Sequence, residues 1–253
     1  MTNIKRSGSF GLGLPGVGRL GLGARAPLTQ SAPAVFEFVG ATAETQIHIA
    51  DAGSKLDYDI PAHSTGSLLL MSVNLNGQET TWTDITVATA GWTEVPALRG
   101  VDGNVNTRVY YKVGDGVAGI VQMENNSGVG YSNSMIIMAF SGVHVDIFDV
   151  TPTSSHVIYQ PNDNTPTSPA ITSATDNTIA VILHMGANAN PTADPTPPSG
   201  YALAAAGYEA SALASVGAYK ALPTAGLETP GDWTSNAGAG QDGHALTMVL
   251  KAA

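Results

Sequence analysis

The chain has 253 residues, 43% hydrophobic and only 12% charged, with 29 Gly, 15 Pro, no Cys and a formal charge of −10. That composition excludes disulfides, thiolate metal sites and a cysteine nucleophile, and no stretch approaches the roughly 20 apolar residues of a membrane span. The charge is split, +4 over the first 30 residues and −14 over the rest, and so acidic a body excludes a general nucleic-acid binder.

Residues 1–30 read as an extended basic arm. Glycine at nearly every second position of SGSFGLGLPGVGRLGLGARAPLTQ removes helix propensity at about 1 kcal/mol each. Phe10, Leu12, Leu14 and Leu20 are nevertheless too apolar for an inert linker, and Lys5, Arg6, Arg19 and Arg25 supply charge with no acid before Glu37. The segment is built to order against a partner, and these eight side chains are its expected contacts. Gly and Pro15 interrupt its apolar run, so it lacks the core of a signal peptide.

From residue 31 to 253 the pattern is that of strands. Short runs at Val35–Val39 and Thr45–Ile49 come first, followed by the apolar run from Ser67 that becomes alternating toward Asn76. Thr107–Val113 alternates, Ser134–Phe140 reads as a core strand, and Val143–Val150 follows Gly142. Asn76-Gly77, Asp102-Gly103-Asn104, Asp115-Gly116 and Asn126-Ser127-Gly128 supply turns. Residues 151–170, rich in Pro, Thr and Asn, read as a long connection.

The second half repeats the first. Gly91-Trp92 matches Gly200-Tyr201, Tyr110-Tyr111-Lys112 matches Ala218-Tyr219-Lys220, and Ile137–Phe140 matches Thr247–Leu250. The offsets are 109, 108 and 110 residues, which define pseudo-repeats of about 65–150 and 175–253. Two small sandwiches or the two halves of one large sandwich both fit. The second is expected, because each half offers too few convincing strands to close a core alone. The fold class is all-β: a jelly-roll-like antiparallel sandwich with an internal pseudo-two-fold, preceded by the arm.

No chemistry-bearing motif emerges. The six histidines show no zinc spacing, and His144 with Asp146 reads as a solvated strand face. The glutamates are scattered rather than paired as a glycosidase requires, and neither a G-x-S-x-G elbow nor a P-loop is present. The expectation is a non-enzyme without metal or cofactor. Aromatics beside Asn and Asp make Trp82, Tyr131 and Trp233 candidates for stacking on a glycan, whereas Trp92 and Tyr201, at equivalent repeat positions, read as plugs of the core ends.

Gly91-Trp92, Tyr110-Tyr111-Lys112 and Ala139-Phe140-Ser141-Gly142-Val143 together resemble a jelly-roll domain of bacteriophage structural proteins, over roughly residues 31–253. The resemblance implies a capsid decoration, head-fibre or tail-fibre protein assembled into the virion in the host cytoplasm. Its partners would be other virion proteins and further copies of itself, as a homotrimer. The alternative it implies is a glycan-binding module of a tail fibre that contacts the host surface.

Overall fold

Residues 36–49, 52–76, 85–102, 105–127, 131–158, 167–189, 195–208, 212–234 and 242–253 are described by a computed structural model, which is nearly all β and antiparallel. The first half holds β1 (Glu37–Ile49), β2 (Lys55–Asp59), β3 (Thr65–Asn76), β4 (Ile85–Val87), β5 (Thr93–Glu94), β6 (Gly100–Asp102), β7 (Val105–Asp115), β8 (Ile120–Asn125) and β9 (Tyr131–Ser141). The second holds β10 (Val143–Phe148), β11 (Thr153–Ile158), β12 (Thr167–Ser168), β13 (Ile171–Ser173), β14 (Thr178–Ala189) and β15 (Ala202–Tyr208). It ends with β16 (Ala212–Leu222), β17 (Gly226–Glu228), β18 (Gly231–Asp232) and β19 (Asp242–Ala252).

The main sheet of the first half runs β1-β9-β3-β7-β5, with β6 also on β7, and a cover sheet runs β2-β8-β4. Strands β1 to β4 alternate between the two sheets and the first pairs with the last, which is jelly-roll winding. The second half repeats this: β10 and β11 flank β19, then β14, β16 and β15 follow, and β12-β18 with β13-β17 form the cover. The repeat holds residue by residue. Leu68 sits between Phe140 and Val113, and its counterpart Ile179 between Leu250 and Ala221. Phe38 opposite Phe140 becomes Phe148 opposite Leu250.

Three features depart from the sequence reading. The runs at 35–39 and 45–49 belong to one strand, β1, so each repeat begins earlier than expected, at β1 and at β10. In the second copy the equivalent strand is broken into β10 and β11 at 149–152, where Pro152 has no N–H to give a ladder. The connection expected over 151–170 therefore contains β11 and β12.

The layering also differs. Leu68, Leu70, Val109, Met138 and Phe140 of the first main sheet pack against Ile179, Val181, Leu183, Met248 and Leu250 of the second, in one shared core. Each half in addition closes a core of its own beneath its cover sheet. In the first half Tyr58, Met71, Val73, Val121 and Met123 form it, and in the second Ile171, Ile182, Tyr201, Val216 and Trp233. The arrangement is two jelly rolls packed main sheet to main sheet, joining residues 33–253 into one unit. Both faces of β3 are therefore dry, which is why Leu68-Leu69-Leu70-Met71 reads as a continuous apolar run rather than an alternating one.

The pseudo-dyad is visible in the shared core. Phe38 stacks on Tyr219 at 4.3 Å, and their counterparts Phe148 and Tyr111 meet edge-on at 6.2 Å. At the far end the contact turns polar: buried Asn74 donates to the carbonyls of Gly186 and Ala214 at 3.2 Å each, and Ser134 bonds Ser215. Gly217 faces Met138, and a β-carbon there would stand 3.1 Å from the Met138 sulfur and 3.3 Å from Leu183. Replacing Gly217 by Val should overpack this contact and cost about 1–3 kcal/mol, read as a lower urea midpoint.

The Gly-aromatic pairs that marked the repeat have a common cause. Gly91 and Gly200 adopt φ of +92° and +86°, a region that disfavours a side chain, and each lies under the stem of its repeat's lysine, Lys112 or Lys220. The turn aims Trp92 and Tyr201 into their respective cover-sheet cores.

Candidate interaction surface

The strand registers gather one kind of chemistry at one end of the molecule. Phe38, Phe140, Leu68 and Val113 form a row across the first main sheet, and Phe148, Leu250, Ile179 and Ala221 form the equivalent row across the second. Where the edge strand of each half crosses the row of the other, a groove opens. One lies between β10 and the ends of β3 and β7, with a volume of about 260 Å³ and walls of Leu68, Val113, Val143, Val145 and Ile147 together with Gly66 and His144. Its counterpart, about 190 Å³, lies between Phe36 and Ile179, Ala221, Leu222 and Pro223. The polypeptide enters β1 beside Phe36, so it joins the body at this same end.

The first groove is unusually apolar for a wet surface. Val145 is 87% exposed and Val113 63%, with Val117 at 65% in the turn that follows β7. The sequence of β10, Val-His-Val-Asp-Ile-Phe, brings Val143, His144, Val145 and Ile147 to the groove, and Asp146 beside them is exposed. The strand meets β19 only at Val143 and Phe148, with a register irregularity between, so residues 144–147 stand clear of that ladder.

Two carboxylates neighbour groove-lining residues in the chain, Asp115 two residues beyond Val113 and Asp146 next to Val145. Asp115 accepts the Val117 N–H at 3.0 Å, a bond that holds its carboxyl below the usual range, and the side chain is 66% exposed. Asp146, 79% exposed, lies 3.7 Å from His144, whose Nδ1 accepts the Asp146 N–H. Lys112 is turned to the opposite face of β7, over Gly91.

A second polar cluster has a structural explanation. Lys220 donates to both oxygens of Glu228, at 2.9 and 3.1 Å, and the Tyr201 hydroxyl donates to the same carboxylate at 3.1 Å. The ammonium also lies 5.5 Å from the centre of the Tyr201 ring. Burial, and then the charge of Glu228, push the Tyr201 phenol well above its ordinary range. The carboxylate is thus committed to a latch that ties β16 to β17 beside a cavity of about 240 Å³ formed by residues 220–228.

The sequence-derived sites fare differently. Lys5, Arg6, Phe10, Leu12, Leu14, Arg19, Leu20 and Arg25 lie outside the described residues, as does Trp82; Tyr131 is placed only as the first residue of β9. Trp233 is corrected: it is fully buried, its indole N–H donates to Ser168 at 3.0 Å, and it has no face free to stack on a sugar. Among the described residues, no three His, Asp or Glu side chains come together as metal ligands. The apolar groove was missed, although Val113, Val117 and Val145, each beside a charged or turn residue, were its signal in the sequence. Comparison with protein-family models, curated proteins and solved structures found no match.

Proposed function

We propose that the chain is a structural protein of a virus particle, a capsid decoration or head-fibre protein attached through its N-terminal arm. One observation carries the reading: the exposed apolar grooves open at the end of the body where the polypeptide enters it. A protein that works by being held in an assembly needs its sticky surface and its tether on the same side. The charge split supports the same view, since a +4 arm is drawn to acidic surfaces such as that of the −14 remainder. The doubly covered sheets support it too, because they give a body stiffened by packing in a chain that has no cysteine.

Deleting residues 1–30 should leave a folded body, with unchanged circular dichroism, that no longer cosediments with particles. Full occupancy by the truncated chain would refute the attachment.

A further inference from the structure

We propose that the groove between β10 and the ends of β3 and β7 receives the glycine-leucine segment, residues 10–22, of a second copy of this chain. This deepens the functional reading above and rests on it, since that reading sets the arm upon neighbouring subunits.

Four features of the groove select such an occupant. Its walls are aliphatic apart from Gly66 and His144, and Val145 and Val113 are more than half exposed, a state that a covering partner relieves. At about 260 Å³ it falls below the roughly 300–1,000 Å³ of small-molecule sites, and it suits a few aliphatic side chains of a peptide. The β10 backbone runs at the edge of its sheet and departs from β19 over 144–147, which leaves an extended rim for a strand to approach. Asp115, two residues beyond the lining Val113, and Asp146, next to the lining Val145, bring exposed carboxylates near it, each 3.7 Å from a histidine nitrogen, of His63 and His144 respectively.

The segment has the matching properties. Phe10, Leu12, Leu14, Val17, Leu20 and Leu22 supply apolar side chains, and the intervening glycines let the two backbones come close. Arg19 and the nearby Arg25 answer the two carboxylates, and no acid occurs before Glu37 to oppose them. Each copy would offer one segment and one groove. Such a contact is heterologous and closes as a reciprocal pair or a ring.

The test uses the full chain in three forms, with mass measured by sedimentation equilibrium over a range of concentrations. The wild type should associate. A groove-blocked variant, Val113→Lys with Val145→Lys, changes exposed side chains only and should be monomeric while keeping its circular dichroism. An arm-blocked variant, Leu12→Asp with Leu14→Asp, should be monomeric too, each variant losing at least tenfold in association constant. Mixed in equal amounts, the two should form a one-to-one pair, because the first still supplies a segment and the second still supplies a groove. A mixture that stays monomeric overturns the proposal, as does a groove-blocked chain that associates like the wild type or a wild type that never associates. Attachment to particles is measured separately, so loss of particle binding with mixing intact would sink the virion reading alone.

Discussion

Replacing Trp233 by alanine should lower the unfolding free energy of the body by about 3–5 kcal/mol, the range for removing a large buried aromatic. Trp233 is among the largest fully buried side chains, in the core of the second half with Ile171, Ile182, Tyr201 and Val216. It follows β18 directly and its indole donates to Ser168 on β12, which fastens these two cover strands to each other, while its ring packs in the core that the cover shares with Ile182 and Val216 of the main sheet. The substitution opens a cavity and also removes the donor that satisfies the buried Ser168 hydroxyl. Trp233→Phe keeps most of the volume and should cost markedly less. Urea denaturation of both variants checks this, and a loss below about 1 kcal/mol for alanine would place the indole outside the core.

Acidification supplies the second large effect. His184 is fully buried on β14, 6.2 Å from Trp233, with its ring hydrogen-bonded to the backbone of His244. Burial pushes its pKa down to about 4, and the charge of His244 on the neighbouring strand adds to the shift. In the unfolded chain the same imidazole titrates near 6.5. Between those values the unfolded state binds the extra proton, so stability is fully present above about pH 6.5 and declines as the pH falls toward 4. The loss across that window is about 3 kcal/mol. The carboxylates most perturbed by folding act lower still. Burial alone would raise Asp149, but the Thr175 hydroxyl and the N–H groups of Ala174 and Thr175 outweigh it and hold the carboxyl below its usual range. Denaturant midpoints measured from pH 7 to pH 4 should therefore fall in the wild type and flatten in His184→Leu. An equal slope in both proteins would assign the acid sensitivity to other groups.

Much of the fold was legible in the sequence because the long strands are long. The runs at 67–76, 107–113 and 134–140 are bounded by Gly and Asn turns, and the matched landmarks around Trp92, Lys112 and Phe140 located their second copies. The cover sheet of the second half was not legible, since β12, β13, β17 and β18 have two or three residues each, too few to show a period. Missing those strands is what made two complete jelly rolls look like halves of one sandwich. Trp233 misled for a related reason. Asp232 and Thr234 are exposed on either side of it, so alternation turned the polar neighbours outward and the indole inward. The grooves were missed because Val113, Val117 and Val145, the trace of one of them in the sequence, do not show which residues meet. The grooves form where the edge strand of one half crosses the main sheet of the other, a juxtaposition that only the shared core creates.

The two dry faces of the central strands bear on how this protein can change over generations. A sheet with one wet face drifts freely at every second position, and its lineage accumulates polar replacements there. In β3 and β14 neither parity is free: Leu68 and Leu70 answer to the opposite half, Met71 and Val73 to their own cover sheet, and Ile179 and Ala180 divide in the same way. Variation is thereby channelled into turns, cover-sheet exteriors and the outer side of β10, so relatives of this chain would diverge fastest at those positions.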